Sequence, residues 1–172
     1  MSALGTSPAD AGPVLRSATL DDLDAVWSLE TSVFGAEAWS RSMMREELVG
    51  DHRDYRVLVD ARGRVLGYAG MLALGAEADI QTIAVHPDVR GTGQGRRLID
   101  ALLDGAEARG VNEVFLEVRA DNPVAQKLYE SLGFEGIGTR PRYYQPEGVD
   151  AIVMRLAMGG RTRSGRAMED QA

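Results

Sequence analysis

The chain has 172 residues and a mass of 18.6 kDa, with a formal net charge of −7 and a pI near 4.9. That length suits a single domain with a real hydrophobic core, and no apolar run approaches the roughly 20 residues that cross a bilayer. The lack of cysteine excludes a disulfide framework, a thiolate zinc site and a cysteine nucleophile, and the acidic balance leaves no chain-wide basic footprint for nucleic acid.

Residues 1–13 are small, polar and broken by Pro and Gly, and are expected to be a flexible leader. Without a charged start and an apolar stretch they do not form a secretion signal, so a cytoplasmic location is expected. Residues 159–172 have the same character, with Arg161, Arg163 and Arg166, and are expected to be a disordered tail. Asp10, Glu169 and Asp170 balance those arginines, so the working domain over 14–158 keeps the whole −7.

Within it the hydrophobic period switches between 2 and 3.6. Val14–Arg16 is a short strand, and Thr19 caps a helix over Leu20–Glu30. Ser40 caps a second helix through Leu48. Tyr55–Asp60 and Val65–Leu74 are strands joined at Ala61-Arg62-Gly63-Arg64, a hairpin signal. Ala78–Val85 is a central strand, stopped by His86-Pro87. Gly95–Arg109 is a helix closed by Gly110, and Val114–Val118 a strand. Pro123–Leu132 is a helix with proline in its first turn. Gly138–Tyr144 and Ala151–Leu156 are a last strand pair. This order predicts an α/β fold, a mixed sheet with helices on both faces.

Two constellations carry chemistry. The first is Ile83-Ala84-Val85-His86-Pro87-Asp88-Val89-Arg90-Gly91-Thr92-Gly93-Gln94-Gly95-Arg96-Arg97, a strand end followed by a glycine-rich turn and a helix start. Glycines let the backbone turn several N–H groups into one concavity, and the helix dipole adds positive potential; together they suit a phosphate or pyrophosphate. A plain structural turn is the alternative reading of the glycine spacing taken alone. The spacing is neither the dinucleotide fingerprint nor a P-loop.

The second is Glu117 inside the apolar strand Leu116–Val118, then Asn122 before the helix that carries Tyr129. A carboxylate there is costly unless paired, wet or functional; in a cleft it suits a general base, and at a sheet edge it is only a solvated acid. Tyr129 lies alongside Val124, Ala125, Leu128 and Leu132 and is either a core tyrosine or a proton donor to a leaving thiolate. Asn122 is a helix cap, a ligand contact, or both. His52 and His86 form no clustered metal pattern, and no metal is expected.

Arg90-x-x-Gly93-x-Gly95 directly after Ile-Ala-Val resembles the acetyl-CoA pyrophosphate loop of the GNAT superfamily of N-acetyltransferases, and the element order from Val14 to Leu156 is that superfamily's order. The runs L-E-V-R-x-x-N from Leu116, L-Y-x-S-L-G-F from Leu128, Arg142-x-Tyr144 with Tyr143, and Asp150-Ala151-Ile152-Val153-Met154 resemble its bacterial ribosomal-protein-alanine branch, the RimI type. Ala38-Trp39-Ser40 departs slightly from that branch's Pro-Trp-Ser.

The resemblance implies a central, mostly antiparallel sheet whose splayed middle strands hold acetyl-CoA. It implies Glu117 as general base and Tyr129 as general acid. Contacts to acetyl-CoA are implied for Ile83, Ala84, Val85, Arg90, Gly91, Thr92, Gly93, Gln94, Gly95, Arg96, Asn122 and Tyr129. The acceptor it implies is the N-terminal alanine of a small-subunit ribosomal protein, whose basic start suits an acidic surface, with Trp39, Tyr143 and Tyr144 as candidate groove residues. One ring in and one out is an equal account of the tyrosine pair. With no cysteine, transfer is expected to be direct. A lysine side chain or small amine as acceptor, or a non-catalytic coenzyme-A sensor, stay open at this level.

Overall fold

The computed structural model describes residues 12–161. Most of the expected leader and tail therefore lies outside the described residues. The elements follow the predicted order: β1 (Val14–Ser17), α1 (Leu23–Phe34), α2 (Arg41–Val49), β2 (Arg53–Val59), β3 (Val65–Leu74), β4 (Glu77–Val85), α3 (Gln94–Ala108), β5 (Glu113–Arg119), α4 (Pro123–Ser131), β6 (Glu135–Tyr144) and β7 (Val149–Ala157).

The strands form one seven-stranded sheet in the order β1-β2-β3-β4-β5-β7-β6. β1 runs antiparallel to β2, and β7 runs antiparallel to both β5 and β6. β4 and β5 are parallel, and their ladder is short, from Glu77↔Glu113 to Asp79↔Phe115. This is the mixed sheet that the element order predicts, mostly antiparallel as the resemblance implies.

By its internal contacts the chain divides into two compact units: one runs up to Gly70 and takes in Ile83–Leu98, and the other holds Met71–Thr82 and the chain from Ile99 onward. The core of the first gathers Leu23, Val26 and Leu29 of α1 with Met44, Tyr55, Val57, Val65, Tyr68 and Ala84. The helix expected at Leu20 begins instead as a 3-10 turn over Leu20–Asp22. Asp22 explains the tightening, because its carboxylate accepts the Thr19 N–H at 2.8 Å and both ends of the Arg16 guanidinium at 2.8 Å. Those bonds, Arg16 first, hold the Asp22 carboxyl below its ordinary range. α1 also outruns its predicted end at Glu30, because Val33 and Phe34 still have core to pack against. Ser40 caps α2 as expected, its hydroxyl accepting the Met43 N–H at 3.2 Å.

At Gly70 of β3 a β-carbon would lie 2.2 Å from the ring of Tyr55, which is buried and donates its hydroxyl to Glu47. Only glycine lets the strand pass that ring.

Glu30 is the one charge of α1 that this core must accommodate. It is 2% exposed; one carboxylate oxygen accepts the Trp39 N–H at 3.2 Å, and the other has no partner. Burial pushes its carboxyl up to about 6. A carboxyl raised by folding contributes stability below its unfolded value and loses it as pH climbs through the folded one. Glutamine keeps the acceptor for Trp39 without the charge. Glu30→Gln is therefore expected to stabilise the protein by about 1–2 kcal/mol near pH 8 and to change nothing near pH 4. Urea unfolding at the two pH values measures this, and a loss of stability near pH 8 would contradict it.

In the second unit β5 alternates as a half-buried strand should: Val114, Leu116 and Val118 are buried, while Phe115 and Glu117 face the other way. Ile99, Leu102, Leu103 and Ala106 line one side of α3, and Ala151, Met154 and Leu156 of β7 complete the core. β6 lies at the sheet edge and is exposed almost throughout, so it lacks the alternation that would have marked its start at Glu135. Arg161, placed by sequence among the tail arginines, has a side chain only 5% exposed and sits against Asp104 at 2.9 Å and Glu107 at 3.3 Å on α3. No helix among the described residues is long and apolar enough to cross a membrane.

Candidate active site

β4 ends at Val85, and a 3-10 turn over Pro87–Val89 follows, with the His86 ring nitrogen Nδ1 accepting the Asp88 N–H at 3.1 Å. Arg90 folds back so that its Nε donates to the Val85 carbonyl at 3.1 Å, and the Thr92 hydroxyl donates to the Val89 carbonyl at 2.5 Å. The first bond ties the loop to the end of β4, and the second closes the loop on its own 3-10 turn. Gly91 and Gly93 have φ of 74° and 83°, the left-handed region that excludes most side chains, and nothing lies within 4 Å of where a β-carbon would be. The glycines thus do what the sequence pattern asks: the backbone turns left-handed twice and leaves its surface open. Gln94 opens α3, one residue before the predicted start, with Gly95 and Arg96 in the same first turn. The Gln94 side-chain oxygen is buried without a hydrogen-bond partner.

In the second unit Glu117 stands opposite Val153 on the β5–β7 ladder, its side chain 25% exposed. Arg140 of β6 brings its Nε within 3.0 Å of one carboxylate oxygen. Tyr143 is held by the same carboxylate: its hydrogen bond to Glu117, then partial burial and the Glu117 charge, push its phenol above the ordinary value. Asp79 of β4 belongs to the same neighbourhood. Burial first, then the charges of Glu77 and Glu117, push its carboxyl up.

Tyr129, on α4, is 6% exposed and meets Phe134 edge to face, 6.0 Å between centroids. Burial, with Tyr144 adding to it, pushes its phenol up to about 12. The hydroxyl makes no hydrogen bond among the described residues. Asn122 is the cap of α4, its side-chain oxygen accepting the Ala125 N–H at 3.1 Å, with Pro123 in the first helical position.

Tyr143 and Tyr144 meet edge to face at 5.1 Å, with Arg119 over the Tyr144 ring. Tyr143 is 49% exposed and Tyr144 half-buried, which agrees with the in-and-out account of the pair. Trp39 belongs to the first unit, where its backbone is clamped between Glu30 and the Trp27 indole, which donates to its carbonyl at 3.1 Å. Arg140, Asp79 and Glu30 are the residues that sequence reasoning missed. Asp79 carried the same signal as Glu117, a carboxylate within an apolar strand; Arg140 carried none.

The model of the acetyltransferase (GNAT) family matches residues 21–134, which run from the first turn before α1 to the end of α4. The chain belongs to the GNAT acetyltransferase family. Over 159 residues it is 42% identical to N-alpha-acetyltransferase RimI of Mycobacterium tuberculosis, covering 88% of this chain and 97% of that protein. It is 43% identical over 149 residues to an uncharacterised protein of Mycobacterium leprae, 83% of this chain but only 40% of that longer one. Among solved structures, the ribosomal-protein-S18-alanine N-acetyltransferase of Escherichia coli superposes with a TM-score of 0.77 at 34% identity, covering 91% of this chain and 98% of that one.

As a GNAT acetyltransferase the protein is an acetyl-CoA-dependent N-acetyltransferase, with acetyl-CoA as co-substrate. The residues of the turn after β4 fit that co-substrate's pyrophosphate: an open left-handed backbone at Gly91 and Gly93 and a 15-residue helix starting at Gln94.

Proposed function

We propose that this acetyltransferase modifies the α-amine of an N-terminal alanine on a basic ribosomal protein of the small subunit, a reading supported by relatives named N-alpha-acetyltransferase and ribosomal-protein-S18-alanine N-acetyltransferase. The observation that carries the reading is the likeness over 159 residues to a protein named N-alpha-acetyltransferase. The net charge of −7 supports it, since a basic N-terminus approaches an acidic surface favourably.

Arg90, Gly91, Thr92, Gly93, Gln94, Gly95 and Arg96 would hold the pyrophosphate of acetyl-CoA, through backbone N–H groups and the α3 dipole, with Asn122 a further contact. When bound, acetyl-CoA supplies an activated acetyl thioester and departs as a thiol. Backbone groups of Ile83, Ala84 and Val85 orient and polarise the carbonyl. An N-terminal ammonium has a pKa near 8 and must lose its proton before it attacks. Glu117 takes that proton at its carboxylate, directly or through a water. Tyr129 keeps a proton at its hydroxyl over the whole working range, because burial has pushed it up to about 12, and presents it to the leaving sulfur. Trp39, Tyr143 and Tyr144 are the candidate walls for the acceptor.

The test is intact-mass detection of one added acetyl group on a purified small-subunit ribosomal protein with an N-terminal alanine, localised to residue 1 by fragmentation. A matched peptide blocked at its N-terminus should stay unmodified. Acetylation of that blocked peptide at lysine would replace the α-amine with a side-chain acceptor.

A further inference from the structure

The side chain that closes on Glu117 is Arg140, and the way it is held differs from that of a structural arginine. Its guanidinium is 59% exposed, and Glu117 is its single carboxylate partner among the described residues. Its guanidinium carbon lies 5.8 Å from the centre of the Tyr143 ring, and Tyr143 in turn bonds to the Glu117 carboxylate. A bulge follows Arg140 and carries Tyr143. Between the register pairs Arg140↔Ala151 and Tyr144↔Val149, three residues of β6 face only Asp150 of β7. Arg142 takes up the excess with a φ of 54°, fixed where its N–H donates to the Asp150 carboxylate at 2.9 Å. Arg140 precedes the bulge and stands on the regular ladder opposite Ala151, two residues past the Gly138↔Val153 pair that adjoins Glu117, and the bulge follows it with Tyr143.

We infer that Arg140 is an exchangeable counter-ion of Glu117: its guanidinium occupies the carboxylate in the free enzyme, and the α-ammonium of the acceptor displaces it on binding. The inference rests on Glu117 as the base. A guanidinium stays charged and offers no acceptor, so a carboxylate oxygen closed by it is not available to an incoming N–H. The acceptor amine, with a pKa near 8, arrives largely as a cation and competes for the same oxygen. Exchange is cheap on the arginine's side, because its guanidinium is well exposed and solvated ion pairs are worth little. Asp79 and Glu77 keep the neighbourhood negative whichever cation is present. The Tyr143 ring gives the released guanidinium a face to rest on. Arg140 is then a positioning residue that sets acceptor affinity rather than the chemical step.

The test uses the whole chain saturated with coenzyme A, which has no acetyl group to transfer, and calorimetric titration with a short basic synthetic peptide beginning with alanine. The same peptide with a blocked N-terminus is the uncharged control. Arg140→Gln is expected to bind the free-amine peptide about two- to fivefold more tightly and the blocked peptide no differently. Arg140→Lys, which keeps the cation, should bind both as the native chain does. In a Glu117→Gln background the gain from Arg140→Gln should vanish. Equal or weaker binding of the free-amine peptide by Arg140→Gln overturns the exchange, as does an equal gain for the blocked peptide or a gain that survives Glu117→Gln. The base role is read separately, from the kcat of Glu117→Gln alone, so either idea can fail without the other.

Discussion

Glu117→Gln is expected to lower kcat by about 10²- to 10⁴-fold, the usual worth of a positioned base, while acetyl-CoA binding and the unfolding midpoint stay close to native. Three observations set that expectation. Glu117 is an acid on the half-buried face of β5, opposite the fully buried Leu116 and Val118, so the core does not depend on its charge. The residues proposed to hold acetyl-CoA belong to the turn after β4 and the first turn of α3, and Glu117 is not among them. Glutamine keeps the size and the hydrogen-bond acceptor for Tyr143 but cannot take a proton at useful pH. The deficit should also depend on pH in a particular way. The acceptor amine loses its own proton near pH 8, so above that value less of the work falls to the base. The native-to-variant ratio of kcat/KM should therefore shrink as pH rises past about 8. Steady-state rates with an alanine-led peptide across that range check both statements. A kcat within twofold of native would remove Glu117 from the mechanism and turn attention to Asp79, the other carboxyl in its neighbourhood.

Element types and their order were legible in the sequence because each depends on local pattern. β3 was delimited to the residue by its flanking turn signals, and Ser40, Pro123 and Gly110 marked helix ends through capping chemistry that survives any tertiary context. What escaped was set by partners distant in sequence. The start of α1 was displaced by Arg16, which claims Asp22 and draws the first turn into a 3-10 form. β6 begins earlier than expected because pairing with β7, not burial, makes it a strand.

The site followed the same division. The left-handed path at Gly91 and Gly93 could be inferred from spacing, since glycine there has a conformational purpose. Glu117 and Tyr129 stood out as polar groups at apolar positions. Arg140 did not, because an arginine on an exposed edge strand is ordinary; only the register of β6 on β7, Gly138↔Val153 and Arg140↔Ala151, brings it to Glu117. Glu30 lay on a helix where a glutamate is unremarkable, and its burial follows from the packing of α1 together with the return of the chain at Trp39.

Tyr129→Phe is expected to separate activity from stability in opposite directions. The ring is 6% exposed, stacked edge to face on Phe134, and a phenylalanine would keep both the volume and that stack. The hydroxyl is different, since it makes no hydrogen bond among the described residues while burial raises the phenol to about 12. A polar group removed from water without a partner is a cost of roughly 1–3 kcal/mol when fully buried. Deleting this one should leave folding unharmed or raise stability by up to about 1 kcal/mol, an increase of about 2–4 °C in the unfolding midpoint for a chain of this size. Turnover should fall, by about 10²- to 10³-fold in kcat, because the leaving sulfur loses its donor. The same high value defines what kind of donor Tyr129 is. A phenol near 12 is a weaker acid than a thiol near 8.5, so complete proton transfer to the sulfur runs uphill. The hydroxyl's contribution is the hydrogen bond it strengthens as negative charge grows on that sulfur, an interaction made mostly in the transition state. Its loss should accordingly appear in kcat, with the KM for the acceptor peptide nearly unchanged. Differential scanning calorimetry and steady-state kinetics on the one variant measure both arms. A fall in the unfolding midpoint with native kcat would show that Tyr129 is a core tyrosine whose hydroxyl has a structural partner, and would remove it from the reaction.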